Sequence, residues 1–176
     1  MKRGKRITIC IALFLCIICL SSCGLTEFSD QKNIHKTMDA IESGINSKDI
    51  DIIKNLFSPS IAKNVSDLNV EKIFSLFPSG ITYKNTDSES YPATYESIKD
   101  DVYIKNLEWH KELIDNATQK EYVMIINICT ENWNDKSDIG MKYIVFYRID
   151  QEESALEWLY SVDEEMSFKG IYIYSE

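Results

Sequence analysis

Residues 108 to 112 read Glu-Trp-His-Lys-Glu. On a strand, Glu108, His110 and Glu112 share one face, at steps of roughly 6.6 to 6.8 Å. Ligands at i and i+2 can chelate one metal ion, but zinc needs a neutral histidine with two or three partners, so another strand would have to supply the rest. The only other histidine is His35, near the start of the first apolar stripe. The pattern therefore favours a charged, solvent-facing strand surface backed by Leu107, Trp109 and Leu113. No metal site and no cofactor are expected.

A second candidate lies further along. Tyr143 and Tyr147 fall at period two in the run Ile139 to Ile149, on a face shared with Met141, Val145 and Ile149. They are the expected pocket residues, because a carboxylate beside a tyrosine in an apolar cleft has a shifted pKa and can move protons. That run carries no acid on the same face until its ends, so no catalytic residue is assigned. Trp133, inside the polar loop ENWNDKSD, either anchors a partner or folds back over a sheet edge, the second being the commoner fate. The acidic clusters at Asp150–Glu153 and Asp163–Glu165 lack the D-x-D-x-D-G spacing of a calcium loop and read as solvated charge. Cys129, at the end of YVMIINIC, reads as a buried small hydrophobe. The sequence has no Gly-rich phosphate loop, no G-x-S-x-G elbow, no metalloprotease helix and no zinc-spaced cysteine pair.

The N-terminus gives an address. Lys2, Arg3, Lys5 and Arg6 precede Ile7 to Leu20, an uncharged apolar run of fourteen residues, and Ser21 and Ser22 follow it. That is the layout of an export signal, shorter than the ~20 residues of a spanning helix. A short transmembrane anchor with a chance cysteine is the alternative. Against it, Leu20-Ser21-Ser22-Cys23 resembles the lipobox of bacterial lipoproteins. That resemblance implies a diacylglycerol group on the sulfur of Cys23 and cleavage just before it. The expected organisation is thus a signal peptide over 1–22, a lipidated tether over 23–33 and one domain over 34–176. The protein would be held at the cell membrane, facing the extracytoplasmic side.

Cleavage changes the inventory. Cys10, Cys16 and Cys19 leave with the signal and Cys23 carries lipid, so Cys129 alone remains and no disulfide is expected. Four of the 19 basic residues also leave, which sets 15 against 28 acidic ones, a net charge of −13. Such a domain is repelled by nucleic acid and by anionic headgroups. Its expected partners are the membrane, through the lipid on Cys23, and an unknown small ligand or envelope protein. No nucleic acid is expected.

Ile34, Met38, Ile41 and Ile45 form one helical stripe, followed by a short helix capped by Ser47 or Asp49 and carrying Ile50, Ile53, Leu56 and Phe57. Val70, Ile73, Phe74 and Phe77 form a third stripe behind a Ser66-Asp67 cap. After Gly80 the period changes. Strands are expected at Ile81–Tyr83, Val102–Ile114, Glu121–Thr130, Ile139–Ile149 and Gly170–Tyr174, with 84 to 100 as loop. Glu157 to Met166 gives no clear pattern. Helices first and strands afterwards indicate an α+β domain, with the N-terminal helices packed on a curved antiparallel sheet.

Two stretches, INSKDIDIIKNLFSPS (45 to 60) and SDIGMKYIVFYRID (137 to 150), resemble the Gram-positive lipoprotein family known as domain of unknown function 5104. The second contains that family's Ile-Gly strand start, here Ile139-Gly140. The likeness implies a cystatin-like, nuclear-transport-factor-2-like cone with a pocket at its mouth, and it implies no catalytic residue. The resulting expectation is a non-catalytic module that binds a small ligand or a protein. The alternative is a small isomerase- or hydrolase-like enzyme using the cone.

Overall fold

The helical stripes and the strand runs are both present, in the expected order, in a computed structural model that describes residues 31–84, 93–99, 102–163 and 169–174. The chain divides into two units, residues 1–35 and 36–176. Of the first, only 31–35 are described, and they are helical. Cys23 and the whole export segment lie outside the described residues. Everything below concerns the second unit.

Within it, helix α1 runs to residue 47, and Met38, Ile41 and Ile45 are its buried stripe. It stops where Lys48 takes a left-handed backbone at φ 58° and Asp49 caps α2 (Ile50–Lys54) by accepting from the Ile52 amide. Pro59 does not simply end that helix. It opens α3 (Pro59–Ala62), where its missing N–H costs nothing. Helix α4 (Asp67–Leu76) starts in a reciprocal box: Ser66 accepts from the Asn69 amide at 3.2 Å and Asn69 accepts from the Ser66 amide at 3.2 Å.

The sheet is open, curved and six-stranded: β1 (Ile81–Tyr83), β2 (Ala93–Lys99), β3 (Val102–Asp115), β4 (Glu121–Asn132), β5 (Gly140–Arg148) and β6 (Gly170–Ile173). Strand order is β1-β3-β4-β5-β6, and β2 pairs the opposite half of the β3 edge that β1 occupies. β1 is pinned by Asn46, whose amide donates to the Ile81 carbonyl at 3.1 Å and accepts from the Ile81 amide at 2.7 Å.

Three expectations need correction. The sheet is not wholly antiparallel, because β6 pairs β5 in parallel. The reason is α5 (Glu152–Asp163), a helix in the stretch that gave no clear pattern, which carries the chain back so that β6 runs with β5. Residues 93–99, expected as loop, form β2 because the inner half of β3 offers it an unpaired edge. Met141 does not share a face with Tyr143, since Met141 pairs Ile128 while Tyr143 pairs the adjacent Asn127. Lys142 is thus an extra residue, a bulge that reverses the alternation.

Alternation then sorts the side chains. One face carries Leu107, Trp109 and Leu113 on β3, Met124 and Ile126 on β4, and Ile144 and Phe146 on β5, all buried. Phe77, at the end of α4, meets Phe146 and Tyr122 edge-on with ring centroids 5.3 and 5.0 Å apart. The N-terminal helices seal this face. Leu56 and Ser58 also tie to β5: the Met141 amide donates to the Leu56 carbonyl at 2.9 Å and the Ser58 amide to the Met141 carbonyl at 3.0 Å. Gly140, at φ 130°, permits that contact, because a Cβ there would sit 2.8 Å from the Ser58 Cα. On the opposite face, Val123, Ile125, Val145 and Tyr147 form a smaller cluster with Ala155, Trp158 and Leu159 of α5. α5 therefore covers the part of this face around Val123, Val145 and Tyr147.

Candidate functional site

The part of the second face that α5 leaves uncovered is a cavity of about 530 Å³. That lies within the range of small-molecule sites. Its floor is a row of directly paired residues: Glu108 opposite Asn127, and Asn127 opposite Tyr143. Ala93 of β2 and Gly170 of β6 end the row, so small residues flank a polar centre. Asn106 and His110 lie on the same face of β3, one step to either side of Glu108. Tyr95 of β2 and Leu156, Leu159 and Tyr160 of α5 complete the lining.

Glu108 organises the floor. The Tyr143 hydroxyl donates to its Oε2 at 2.5 Å, and His110 Nε2 lies 3.1 Å from its Oε1. Burial alone would raise this carboxyl, but hydrogen bonds from His110, Tyr143 and Asn127, with the charge of His110, hold it below the usual glutamate range. An ionised carboxylate only accepts, so His110 must carry its proton on Nε2, and Nδ1 is the acceptor when the ring is neutral.

At one end, Asp138 accepts from Ser60 Oγ at 2.6 Å and pairs with Lys142 Nζ at 2.8 Å. Those two contacts hold its carboxyl below the usual aspartate range against burial. The bulge makes this pairing: it turns Lys142 toward the cavity beside Tyr143 and within reach of Asp138.

The sequence expectations scatter across this geometry. Tyr143 lines the cavity. Tyr147 does not; it is 1 % exposed in the cluster beneath α5, where burial pushes its hydroxyl up to about 12. Glu108 and His110, expected as plain surface, are cavity floor, and Glu112 sits apart in an ion pair with Lys84 at 3.0 Å. Trp133 folds back, with its ring 5.1 Å from that of Tyr103, and remains 71 % exposed. Cys129 is buried, and burial raises its thiol. Among the described residues no group of three His, Cys, Asp or Glu could hold a metal ion, and no Ser, Thr or Cys lines the cavity.

The family model described as domain of unknown function (DUF5104) matches residues 40–150. The chain belongs to this family. No curated protein matches it. Within this DUF5104 chain the matched span carries the floor and the Tyr95 wall, whereas the α5 wall and Lys169 come after it. Sequence reasoning missed Asn106, Asn127, Tyr95 and all of α5. The alternation of Glu108 with His110 was visible, but nothing local told which face would be left half-covered.

Proposed function

We propose that this protein is a lipid-anchored, extracytoplasmic binding module that holds a small ligand on the half-covered face of its sheet. One observation carries the ligand reading: a cavity of about 530 Å³ with a pre-organised polar floor, Tyr143–Glu108–His110, between aromatic and aliphatic walls. Pockets of that size, with few fixed polar groups and an apolar lining, are how small-ligand sites are built. The anchor reading rests on the basic start, the apolar run and Leu20-Ser21-Ser22-Cys23. No helix among the described residues is long and apolar enough to cross a membrane. The curved sheet with helices on one face supports a cystatin-like architecture, from which the parallel β6 and its crossover helix depart.

Native mass spectrometry of the full chain, incubated with an extract of the producer's envelope, tests the ligand reading. A discrete added mass is expected, and its absence at saturating extract contradicts the proposal. The anchor is tested by fractionation. Cys23→Ser should abolish membrane retention and signal processing, and retention unchanged would defeat it.

The Glu108–His110 pair favours a second reading, a small isomerase- or hydrolase-like enzyme with His110 as base. The depressed Glu108 carboxyl itself is a poor proton acceptor near neutrality. No Ser, Thr or Cys nucleophile is among the described lining residues, so this reading assigns the proton-accepting role to His110. Turnover of an extract component by the parent chain, lost in His110→Ala, would establish it.

A further inference from the structure

We propose that the ligand of this cavity is a short, uncharged saccharide, stacked against Tyr95 and Tyr160 and hydrogen-bonded to the strand floor; this rests on reading the cavity as a ligand site.

The argument begins with charge. Both cavity carboxylates are already engaged: Asp138 is neutralised by Lys142, and the two oxygens of Glu108 accept from Tyr143 and His110. Neither is left to select a cationic ligand. Lys169, exposed at the rim, is a single cation in an acidic protein, too little to favour a phosphate or nucleotide. The floor is also wrong for a lipid tail, since burying Asn106, Asn127 and His110 under an alkyl chain would leave polar groups unpaired. A neutral ligand rich in hydroxyls satisfies them instead. Side-chain amides offer a donor and an acceptor each, which suits hydroxyls that do both.

The walls supply the second half. Tyr95 of β2 and Tyr160 of α5 both line the cavity and are 53 % and 71 % exposed. Their negative ring faces attract the partly positive C–H hydrogens on the face of a sugar ring, while the phenol ends stay wet. A polar floor with aromatic walls therefore matches a molecule with apolar faces and polar edges. Pyranose rings have that shape.

Calorimetric titration of the purified full chain with chitotetraose and, separately, maltotetraose tests this. Saturable binding to at least one is expected, weakened about tenfold by Tyr95→Ala and by Tyr160→Ala. Both side chains are exposed, so an unchanged circular dichroism spectrum and melting temperature would show that the variants fold. Binding that survives both substitutions places the sugar elsewhere and overturns the proposal. If neither glycan binds, while the envelope extract adds a mass that glycans do not displace, the saccharide inference fails and the cavity reading stands. If neither glycans nor extract bind, both fall.

Discussion

The two faces of the sheet are built from the same strands and used differently. On the helix-covered face, Leu107, Leu113, Met124, Ile126, Ile144 and Phe146 are all 1 % exposed or less, and the Phe77 ring closes over them. On the other face only the part around Val123, Val145 and Tyr147 is packed, beneath α5, and the rest carries amides, a carboxylate, a histidine and tyrosines. The first face has no room for chemistry and supplies the cohesion. The second has chemistry because a single crossover helix covers part of it. Functional groups on a strand need a rigid floor, and the sealed face provides it.

The largest expected effect separates the faces outright. Phe146→Ala should cost about 3–5 kcal/mol in urea unfolding, through lost transfer energy and a cavity that the helices cannot refill. Tyr160→Ala, on the open wall, should stay within about 0.5 kcal/mol. Equal costs would erase the distinction.

The next prediction divides the second face itself. Tyr147 has its folded pKa raised to about 12, so its contribution is fully present below the unfolded value near 10 and is lost as pH rises through 12. That loss is about 2–3 kcal/mol, and Tyr147→Phe should remove it from the alkaline limb of a stability–pH curve. An unaltered alkaline limb would mean that α5 does not bury this hydroxyl.

A smaller effect probes the edge. Asn46→Ala deprives the Ile81 backbone of two hydrogen bonds and should cost about 1–2 kcal/mol by denaturant unfolding, with faster amide exchange at Ile81. A loss of about 1 kcal/mol is expected of Glu108→Gln on the open face. The depressed Glu108 carboxyl stabilises the fold above its unfolded pKa, and that contribution fades as pH falls through the lower folded value. The variant's acid limb should therefore be flatter than the parent's. A parallel acid limb would show that the Tyr143 and His110 contacts carry no weight.

Much of the scaffold was legible because it depends on local patterns. The stripe Met38–Ile41–Ile45, the Ser66 and Asp49 caps and the strand runs around Leu107 and Ile126 each follow from spacing within a few residues. The site was less legible because it depends on long-range pairing. Lys142 is a bulge only by reference to β4, and without it Tyr143 would be assigned the same face as Met141. β2 looks like a polar loop because all its described side chains are exposed, and it is a strand only because β3 pairs with it. Glu108 became a site residue through Tyr143, 35 positions away. Polar, alternating residues such as Glu108 and His110 look alike on a bare surface and on a cavity floor until the covering helix is placed.

The central claim is that a small ligand enters the half-covered face and leaves the sealed face untouched. Methyl NMR on the full chain, with isoleucine and leucine methyls labelled and the envelope extract titrated in, tests it most directly. The account predicts saturable shifts at Ile104, Ile125, Leu156 and Leu159, with Ile73, Ile126 and Ile144 unmoved. Shifts confined to the sealed-face methyls, or none at all, would contradict it.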